Sequence, residues 1–321
     1  MVLTLEGVSK TYKTGTFGGK ELTAVRNVSF DVAAGEVVSL IGESGSGKTT
    51  VGKMILRLIA ITGGRIDLNG NDISAIKGQD LKAYYKKVQG VFQDPFSSFN
   101  PMFKADHALG MMRDEYFSGV PHADWTSKVE ASLEAVSLNP SQILNKYPHQ
   151  LSGGQLQRLL IARALLLDIE FLVADEIISM LDASTRIDVL NLLGELKARG
   201  LGILFITHDL SLGNYISEKT VILRRGVVVE MGLTDLVFGD PRHPYTKTLI
   251  SSIPHLHEKW NEVEEHLRMD AVAKETCAYH AMYPATGDGA AKGTAAAVPA
   301  LAEVEKGHFV ACFRLDEPGT C

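Results

Sequence analysis

The most constraining feature of the sequence is a glycine-rich run, Gly42-Glu-Ser-Gly-Ser-Gly-Lys-Thr-Thr50. The apolar segment Glu36 to Ile41 precedes it, and Val51 to Ile59 after it has the composition of a helix. The spacing of its first and last glycines, followed at once by lysine and threonine, is the Walker A pattern, in which backbone N–H groups surround phosphates. The run therefore predicts a phosphate-binding loop between a strand and a helix.

Eight residues of this run are expected to contact a nucleotide or its metal ion. They are Gly42, Ser44, Gly45, Ser46, Gly47, Lys48, Thr49 and Thr50. In this pattern the lysine neutralises the phosphates and the hydroxyl of Thr49 ligates Mg²⁺. A purely structural turn rich in glycine and serine is the alternative, but the flanking strand and helix favour phosphate binding.

Length, charge and hydropathy bound the class of protein. The 321 residues carry a net charge of −6, so no nucleic-acid partner is expected. No apolar run approaches the roughly 20 residues needed to cross a bilayer. The first residues, Met1 to Lys10, lack the pattern of a signal peptide. We therefore expect a chain that stays in the cytosol.

Two adjacent carboxylates, Asp175 and Glu176, follow the apolar run Phe171 to Ala174. A parallel strand here would bring both to the sheet edge where open α/β folds bind ligands. The pattern is that of a Walker B site, in which Asp175 would hold Mg²⁺ through water and Glu176 would polarise the attacking water. An acidic helix cap is the alternative, and the phosphate loop elsewhere in the chain favours the catalytic interpretation.

His208 follows another apolar run, Gly202 to Ile206, and is expected at the same edge of the sheet. There its imidazole could hydrogen-bond the γ-phosphate or hold the attacking water. A single histidine is by itself more often a helix cap or a core residue, so this prediction depends on its position after a strand aimed at the phosphate site.

Hydrophobic patterning predicts the order of the structural elements. The apolar runs alternate with helical patterns at Gln155 to Leu167 and Arg186 to Ala198, which predicts an α/β fold with a parallel sheet. The first thirty residues predict short antiparallel strands separated by a break at Gly15 to Gly19. Phe96 to Tyr147 has helical periodicity and indicates a helical insertion, whereas Thr276 to Ala302 suggests an irregular appendage.

The segment Leu151-Ser-Gly-Gly-Gln-Leu-Gln-Arg158 resembles the LSGGQ signature of ABC-transporter ATPases. Physically, such a segment offers a hydroxyl and N–H groups at the start of a helix, which can bind an anion; an ordinary helix cap would explain only its serine. The resemblance covers residues 2–255. It implies a P-loop NTPase core of the ABC ATPase type with an antiparallel β subdomain, a helical subdomain and a small C-terminal appendage.

The same resemblance implies domain bounds and a head-to-tail dimer. The nucleotide-binding domain would span residues 1–254, with the helical subdomain at 96–168, and an importer-type extension would span 255–321. In such dimers ATP lies between the Walker A loop of one subunit and the signature of the other. The signature residues that would serve the partner's nucleotide are Ser152, Gly153, Gly154 and Gln155.

Two further residues take roles from the resemblance. Tyr12 matches the aromatic residue that stacks on adenine, with a surface aromatic as the alternative. Gln93 matches the Q-loop glutamine, which contacts Mg²⁺ and links the ATPase to the membrane subunits. The implied cofactors are therefore ATP and Mg²⁺.

Two longer stretches resemble the oligopeptide/dipeptide importers: Phe92 to Pro101, and Asp240 to Thr246 with Leu249 to Pro254. Such importers generally carry two different ATPase subunits, and this chain resembles the second, which favours a heterodimer. The other implied partners are two integral-membrane permease subunits and an extracellular substrate-binding protein. The chain would then be peripheral, at the cytoplasmic face of the inner membrane. Peptides, or oligosaccharides as the alternative, are the expected cargo.

The chain departs from this subfamily in two places. Ile177 and Ile178 stand where Pro-Thr usually follows the Walker B glutamate, which suggests altered communication between the two nucleotide sites rather than lost hydrolysis. Related subunits often hold an iron–sulfur cluster with four cysteines, whereas this chain has only Cys277, Cys312 and Cys321. We therefore predict that no cluster forms.

Two rival functions fit parts of the pattern. A soluble ABC ATPase of the DNA-repair or translation-factor kind would be expected to contain a long coiled coil or a second cassette, and neither pattern occurs in the sequence. A degenerate regulatory cassette is disfavoured because Lys48, Glu176 and His208 are all present. The transport ATPase is the favoured interpretation.

Overall fold

The computed structural model describes residues 1–14, 20–253 and 300–311. The predicted break at Gly15 to Gly19, most of the predicted irregular appendage and all three cysteines lie outside these residues. Strands in the described part of the chain are β1 (Val2–Thr14), β2 (Lys20–Ala33), β3 (Val37–Ile41), β4 (Gly63–Leu68), β5 (Asn71–Asp72), β6 (Val88–Val91), β7 (Phe171–Asp175), β8 (Gly202–Thr207), β9 (Lys219–Arg224), β10 (Val227–Leu233), β11 (Leu301–Glu305) and β12 (His308–Ala311).

Helices alternate with these strands. They are α1 (Lys48–Ile55), α2 (Gly78–Tyr85), α3 (His107–Tyr116), α4 (His122–Ala135), α5 (Pro140–Ile143), α6 (Gly153–Leu165), α7 (Ala183–Ala198), α8 (Leu210–Ile216), α9 (Thr234–Gly239) and α10 (Pro244–Ser251). Single 3₁₀ turns lie at Phe96–Ser98 and Pro148–Gln150. Among the described residues, no helix is both long and apolar enough to span a membrane.

The chain forms two compact units that interleave along the sequence. The first contains Met1–Val2, Val32–Glu36 and Ala75–Phe205. The second contains Leu3–Asp31, Val37–Ser74 and the described residues from Ile206 onward. Each unit is built from segments that are far apart in sequence, which a linear pattern does not reveal.

Two sheets of strands organise the second unit. Antiparallel β1 and β4 lie at the centre of the order β2-β1-β4-β5. A second series runs β11-β12-β10-β9-β3, in which β3 and β9 are parallel and the remaining pairs are antiparallel. Every residue of β3 is buried, as expected for an apolar strand covered on both faces.

A continuous core lies between the end of β3 and the helices that follow β10. Its buried members are Ile41, Leu210, Ile222, Val229, Val237 and Tyr245, with Phe238, Leu249, Ile250 and Ile253 packed against it. This core therefore joins the last residue of β3, which immediately precedes the glycine loop, to helix α10.

The first unit combines helices α2 to α7 with strands in the order β8-β7-β6. β6 and β7 pair in parallel from Val88 opposite Phe171 to Val91 opposite Ala174. Helix α4 packs on α6, and the hydroxyl of Ser132 donates to the carbonyl of Ala162 at 2.6 Å. The predicted α/β fold with a parallel sheet, antiparallel strands at the beginning of the chain and a helical region after Phe96 is confirmed.

Helix α1 differs from its predicted bounds, and one hairpin was not predicted. Helix α1 begins at Lys48 and ends at Ile55, three to four residues earlier than predicted, because Gly47 turns the chain into the helix with φ 105° and Arg57 stops it with φ 55°. A hairpin, β11–β12, begins at the end of the stretch predicted to be irregular, Thr276 to Ala302, and pairs with β10; the sequence did not predict this hairpin. Its short strands follow an Ala- and Gly-rich stretch, so hydropathy gives little signal for them.

Candidate nucleotide site

The glycine loop joins β3 to α1 in the second unit, as predicted. Gly45 and Gly47 adopt φ values of 81° and 105°, which a residue with a side chain rarely adopts. The ammonium of Lys48 donates to the carbonyls of Gly42 at 2.7 Å and Glu43 at 3.0 Å. The lysine charge is thus folded back over its own loop at the N-terminus of a helix, where phosphates bind.

Neighbouring backbone fixes the shape of this loop. The turn between β9 and β10 contributes Gly226, whose N–H donates to the carbonyl of Ser46 at 2.8 Å. The carbonyl of Gly226 in turn accepts from the N–H of Arg26 on β2, also at 2.8 Å. A Cβ on Gly47 would lie 2.6 Å from the carbonyl oxygen of Ala24. The loop is therefore held in one conformation by β2 and by the β9–β10 turn.

The loop also offers polar groups that suit an anion. Ser46 is 1% exposed, and its hydroxyl has no hydrogen-bond partner among the described residues. Buried polar groups of this kind normally have a partner, so an unsatisfied one marks a place where a ligand would be held. Ser44, Gly45 and Thr49 are exposed, with Thr50 half-buried beside them. The loop therefore fits a phosphate group, as the Walker A pattern predicts.

Tyr12 and His208 lie in the same unit. Tyr12 is half-buried on β1, and the ammonium of Lys10 lies 5.0 Å from its ring centre. His208 is exposed directly after β8. It precedes Asp209, which caps α8 by accepting the N–H of Leu212 at 3.2 Å. The histidine is therefore not the cap residue, which excludes the alternative that His208 is a helix cap.

The two carboxylates lie at the end of β7 in the first unit. Asp175 is the last residue of the strand and is 4% exposed, whereas Glu176 is half-buried. Glu176 has φ 51°, in the left-handed region. Its carbonyl accepts the N–H of Ser179 at 3.2 Å and the Ser179 hydroxyl at 2.8 Å. Strained backbone of this kind is concentrated at functional sites.

The residues after Glu176 form a tight turn. Ile177 and Ile178 are 1% and 2% exposed, so both side chains belong to the core of the first unit. Arg186 holds the turn by donating to the carbonyls of Leu181 at 2.8 Å and Ser179 at 3.3 Å. The two isoleucines therefore act on this turn through packing.

Helix α6 begins at the signature segment. Ser152 is its N-cap, and Gly153, Gly154 and Gln155 form its first turn. A Cβ on Gly154 would lie 2.5 Å from the Thr185 methyl group, so only glycine lets α6 approach α7 this closely. Gln93 is exposed beyond β6, in the same unit.

An apolar groove lies in the helical part of the first unit. The cavity has a volume of about 650 Å³. It is lined in part by Phe99, Phe103, Met111, Met112 and Arg163. Met111 and Phe103 are 60% and 48% exposed. Burial lowers the pKa of the Arg163 guanidinium from its ordinary value. An exposed apolar surface of this type is a candidate interaction site.

Sequence reasoning missed the contact between Tyr245 and the glycine loop. Its hydroxyl accepts the N–H of Glu43 in the glycine loop at 3.1 Å, and its ring lies 4.7 Å from the Arg224 guanidinium carbon. Burial raises the pKa of Tyr245 to about 12. In the sequence, Tyr245 stands in the stretch Asp240 to Thr246, which indicates only the subfamily, and 202 residues separate it from Glu43.

Comparison with known proteins agrees with this architecture. The family described as "ABC transporter" matches residues 25–179. A solved dimeric ATP-binding cassette in a post-hydrolysis state, bound to ADP and Pi, has a TM-score of 0.65 and 28% identity, covering 72% of this chain and 98% of that one. The fold and the glycine loop thus define an ABC ATPase.

More specific matches identify the branch of the family. "Oligopeptide/dipeptide transporter, C-terminal region" matches residues 229–284. The chain is 39% identical, over 98% of both sequences, to a Brucella ovis protein named for peptide import and ATP binding. It is 41% identical to the oligopeptide transport ATP-binding protein of Streptococcus mutans, over 81% of this chain and 87% of the relative. The chain therefore belongs to the ATP-hydrolysing subunits of the oligopeptide/dipeptide ABC importers.

Proposed function

We propose that this subunit binds ATP on the loop Gly42–Thr50 and couples its hydrolysis to import of oligopeptides or dipeptides. The geometry of the loop carries the proposal: left-handed glycines, the buried Ser46 hydroxyl and the Lys48 ammonium all surround one helix N-terminus. The peptide cargo rests on the names of the relatives, which are named for peptide import, oligopeptide transport and dipeptide transport. Oligosaccharides remain the alternative cargo to be tested.

Loop residues would divide the work of binding. Lys48 would exchange its two loop carbonyls for phosphate oxygens, while loop N–H groups donate to the phosphates. Thr49, Gln93 and Asp175 have the oxygen donors that Mg²⁺ prefers and would hold it. The bound Mg²⁺ would offset the negative charge of the phosphates. Tyr12 would stack on the adenine.

Glu176 and His208 would act on the water. The Glu176 carboxylate would orient and polarise it, and the His208 imidazole would hydrogen-bond the γ-phosphate or hold the water in line. The positive φ of Glu176 fixes where its side chain leaves the backbone, which pre-orients a base at some cost in stability.

Assembly would complete the site. The N-terminus of α6, with Ser152 and the two signature glycines, would face the nucleotide of a second ATPase subunit, and that subunit would be a different chain. A solved structural neighbour is a dimer, which supports pairing of cassettes. The predicted lack of an iron–sulfur cluster stays a prediction, tested by assaying iron and acid-labile sulfide in anaerobically purified protein.

The apolar groove would receive a segment of a membrane permease. Its exposed Met111 and Phe103 side chains suit an apolar helix face, and the Arg163 charge suits a carboxylate on that segment. The arrangement would place the chain peripherally at the cytoplasmic face of the inner membrane. An extracellular substrate-binding protein would deliver the cargo.

The decisive measurement is ATPase activity of the full complex, purified with its permease and partner ATPase. Binding protein and candidate cargo, peptide or oligosaccharide, are varied. The wild type is compared with Glu176→Gln, which keeps the shape of the side chain and removes its charge. We expect cargo-stimulated hydrolysis to fall by at least about 10²-fold.

A matched control is Glu195→Gln, an exposed glutamate on α7, which is expected to retain wild-type activity. Unchanged hydrolysis in Glu176→Gln would show that the partner subunit contains the working site. Stimulation by an oligosaccharide and by no peptide would refute the proposed cargo.

A further inference from the structure

A chain of contacts runs from the C-terminal hairpin to the phosphate loop, entirely within the second unit. It begins at His308 on β12, which is fully buried. The Nε2 of His308 lies 2.7 Å from an oxygen of Glu230, and its Nδ1 lies 3.1 Å from an oxygen of Glu305. Both ring nitrogens thus meet carboxylates, which only accept hydrogen bonds when ionised.

Glu230 on β10 is the centre of this arrangement. It is fully buried, and its carboxylate has three hydrogen-bond partners. Besides His308, the donors are the backbone N–H groups of Arg242 at 2.8 Å and His243 at 2.9 Å. A buried carboxylate requires such partners, so removing His308 would leave part of a buried charge unsatisfied.

The two backbone donors lead directly to α10. His243 is the N-cap of this helix, and its Nδ1 accepts the N–H of Tyr245 at 3.0 Å. Pro244 occupies the first turn, where its fixed φ suits a helix start. The position of the Tyr245 ring is therefore determined by the cap that Glu230 holds.

Tyr245 completes the path. Its hydroxyl accepts the N–H of Glu43, and the carbonyl of Glu43 accepts the Lys48 ammonium. The ring packs in the same core as Ile41, the last residue before the loop. This hydroxyl thus holds the beginning of the loop from the side of α10, while Gly226 holds its middle.

We infer that Tyr245 is a positioning residue for the phosphate loop, and that the β11–β12 hairpin sets its position through Glu230. The inference rests on the proposed assignment of ATP to this loop. A loop held in its binding conformation before the ligand arrives binds more tightly, because less ordering accompanies binding. The hairpin then influences nucleotide binding without contacting the nucleotide.

The experiment is photolabelling of the assembled complex with radioactive 8-azido-ATP, with the subunits separated on a gel so that this chain is read by itself. Tyr245→Phe keeps the ring over Arg224 and removes only the hydroxyl. We expect the ATP concentration for half-maximal labelling, and the KM for ATP, to rise on the order of threefold to tenfold, with kcat unchanged.

His308 supplies the second test. His308→Leu removes the donor to Glu230 and should raise the half-maximal concentration in the same direction. His308→Gln keeps an amide donor and should restore much of the affinity. In the double variant Tyr245→Phe/His308→Leu, the ATP concentration for half-maximal labelling should be no higher than in the more affected single variant, because both substitutions act through one path. Thr248→Val, which removes a different α10 hydroxyl, is the control expected to match wild type.

Wild-type half-saturation in Tyr245→Phe would overturn the positioning role. Lowered melting temperature with unchanged half-saturation in His308→Leu would show that the hairpin is merely structural. Lys48→Met distinguishes a failure of the proposed ATP site from a failure of the positioning role of Tyr245. If it labels like wild type, the loop is not the ATP site and the proposed function fails with it; if it abolishes labelling, a negative Tyr245→Phe result refutes only the inference.

Discussion

Ser152 and Gln155 hold each other in place at the start of α6. The Ser152 hydroxyl accepts the N–H of Gln155 at 3.2 Å, and the Gln155 side-chain oxygen accepts the N–H of Ser152 at 2.9 Å. The hydroxyl proposed to meet the partner's nucleotide is thus also a helix cap. We expect Ser152→Ala to lower the free energy of unfolding by about 1 kcal/mol and to lower the ATPase rate of the complex.

Asn139 provides the matched control for this prediction. It caps α5 by accepting the N–H of Ser141 at 3.0 Å. Asn139→Ala should also destabilise, with no loss of ATPase activity. Equal loss of activity in the two variants would mean that the Ser152 effect is one of stability alone. Denaturant unfolding and ATPase assays check both variants.

Gly45 and Gly47 allow backbone strain to be separated from steric collision. Both have positive φ, but a Cβ on Gly45 would meet nothing within 4 Å, whereas one on Gly47 would meet the Ala24 carbonyl. We expect Gly45→Ala to cost about 1–2 kcal/mol of stability and Gly47→Ala about 2–5 kcal/mol. Thermal unfolding without nucleotide measures the difference, and equal losses would contradict the collision.

Asp182 predicts a pH dependence. Its carboxylate accepts hydrogen bonds from the hydroxyl of Ser184 and from the N–H and hydroxyl of Thr185, which hold its pKa well below its ordinary value. A lowered pKa stabilises the fold above the unfolded value of about 4, and this contribution is lost as pH falls toward the folded value. Asp182→Ala should therefore be less stable than wild type at pH 7, with a difference that shrinks below about pH 4.

Asp188 is the control for this measurement. It is exposed on the same helix, α7, so Asp188→Ala should show no such loss at pH 7. A difference between Asp182→Ala and wild type that stays constant from neutral to acid pH would contradict the role of the ionised cap. Chemical denaturation across this pH range gives the result.

The apolar groove makes a prediction about assembly. Met111→Glu introduces a charge into a surface proposed to contact the permease and should abolish co-purification of the permease. Photolabelling of the chain by 8-azido-ATP should persist, because Met111 belongs to the first unit and the glycine loop to the second. Leu22→Glu, at a leucine 61% exposed on β2, is the control expected to assemble. A stable Met111→Glu complex would refute the docking surface.

The turn after Glu176 tests the proposed effect on coupling. Replacing Ile177 and Ile178 with Pro and Thr restores the usual subfamily residues but puts a hydroxyl in a site that is 2% exposed, at a cost of about 1–3 kcal/mol. We expect basal hydrolysis to persist and cargo-stimulated hydrolysis to change. Ile178→Val, which stays apolar, should behave like wild type. An unchanged stimulated rate in the double variant would refute the hypothesis.

The sequence predicts the parts of the molecule whose signal is local. The apolar runs at β3, β7 and β8 are continuous because these strands are buried. A glycine-rich run between a strand and a helix has few interpretations other than a phosphate-binding loop. The resemblance to the ABC family was confirmed by the relatives. The roles assigned to Glu176, His208 and Tyr12 remain predictions, because they concern a ligand that the sequence pattern only implies.

Contacts between distant segments have no local signal in the sequence. Glu230 and His308 are separated by 78 residues, and neither stands in a recognisable motif for pairing. The same holds for Glu43 and Tyr245, which are 202 residues apart. Such pairs depend on the fold as a whole, because polar groups that the fold buries need hydrogen-bond partners.

The left-handed backbone conformation of Glu176 lowers the stability of the fold, whereas its carboxylate is proposed to serve hydrolysis. Glycine adopts φ near 51° without strain, and asparagine tolerates it better than glutamate does. A laboratory library selected only for resistance to heat would therefore drift toward Gly or Asn at this position. Either substitution would raise thermal stability and remove the carboxylate proposed to activate water. Any engineering of this subunit must therefore select for ATPase turnover as well as for thermal stability.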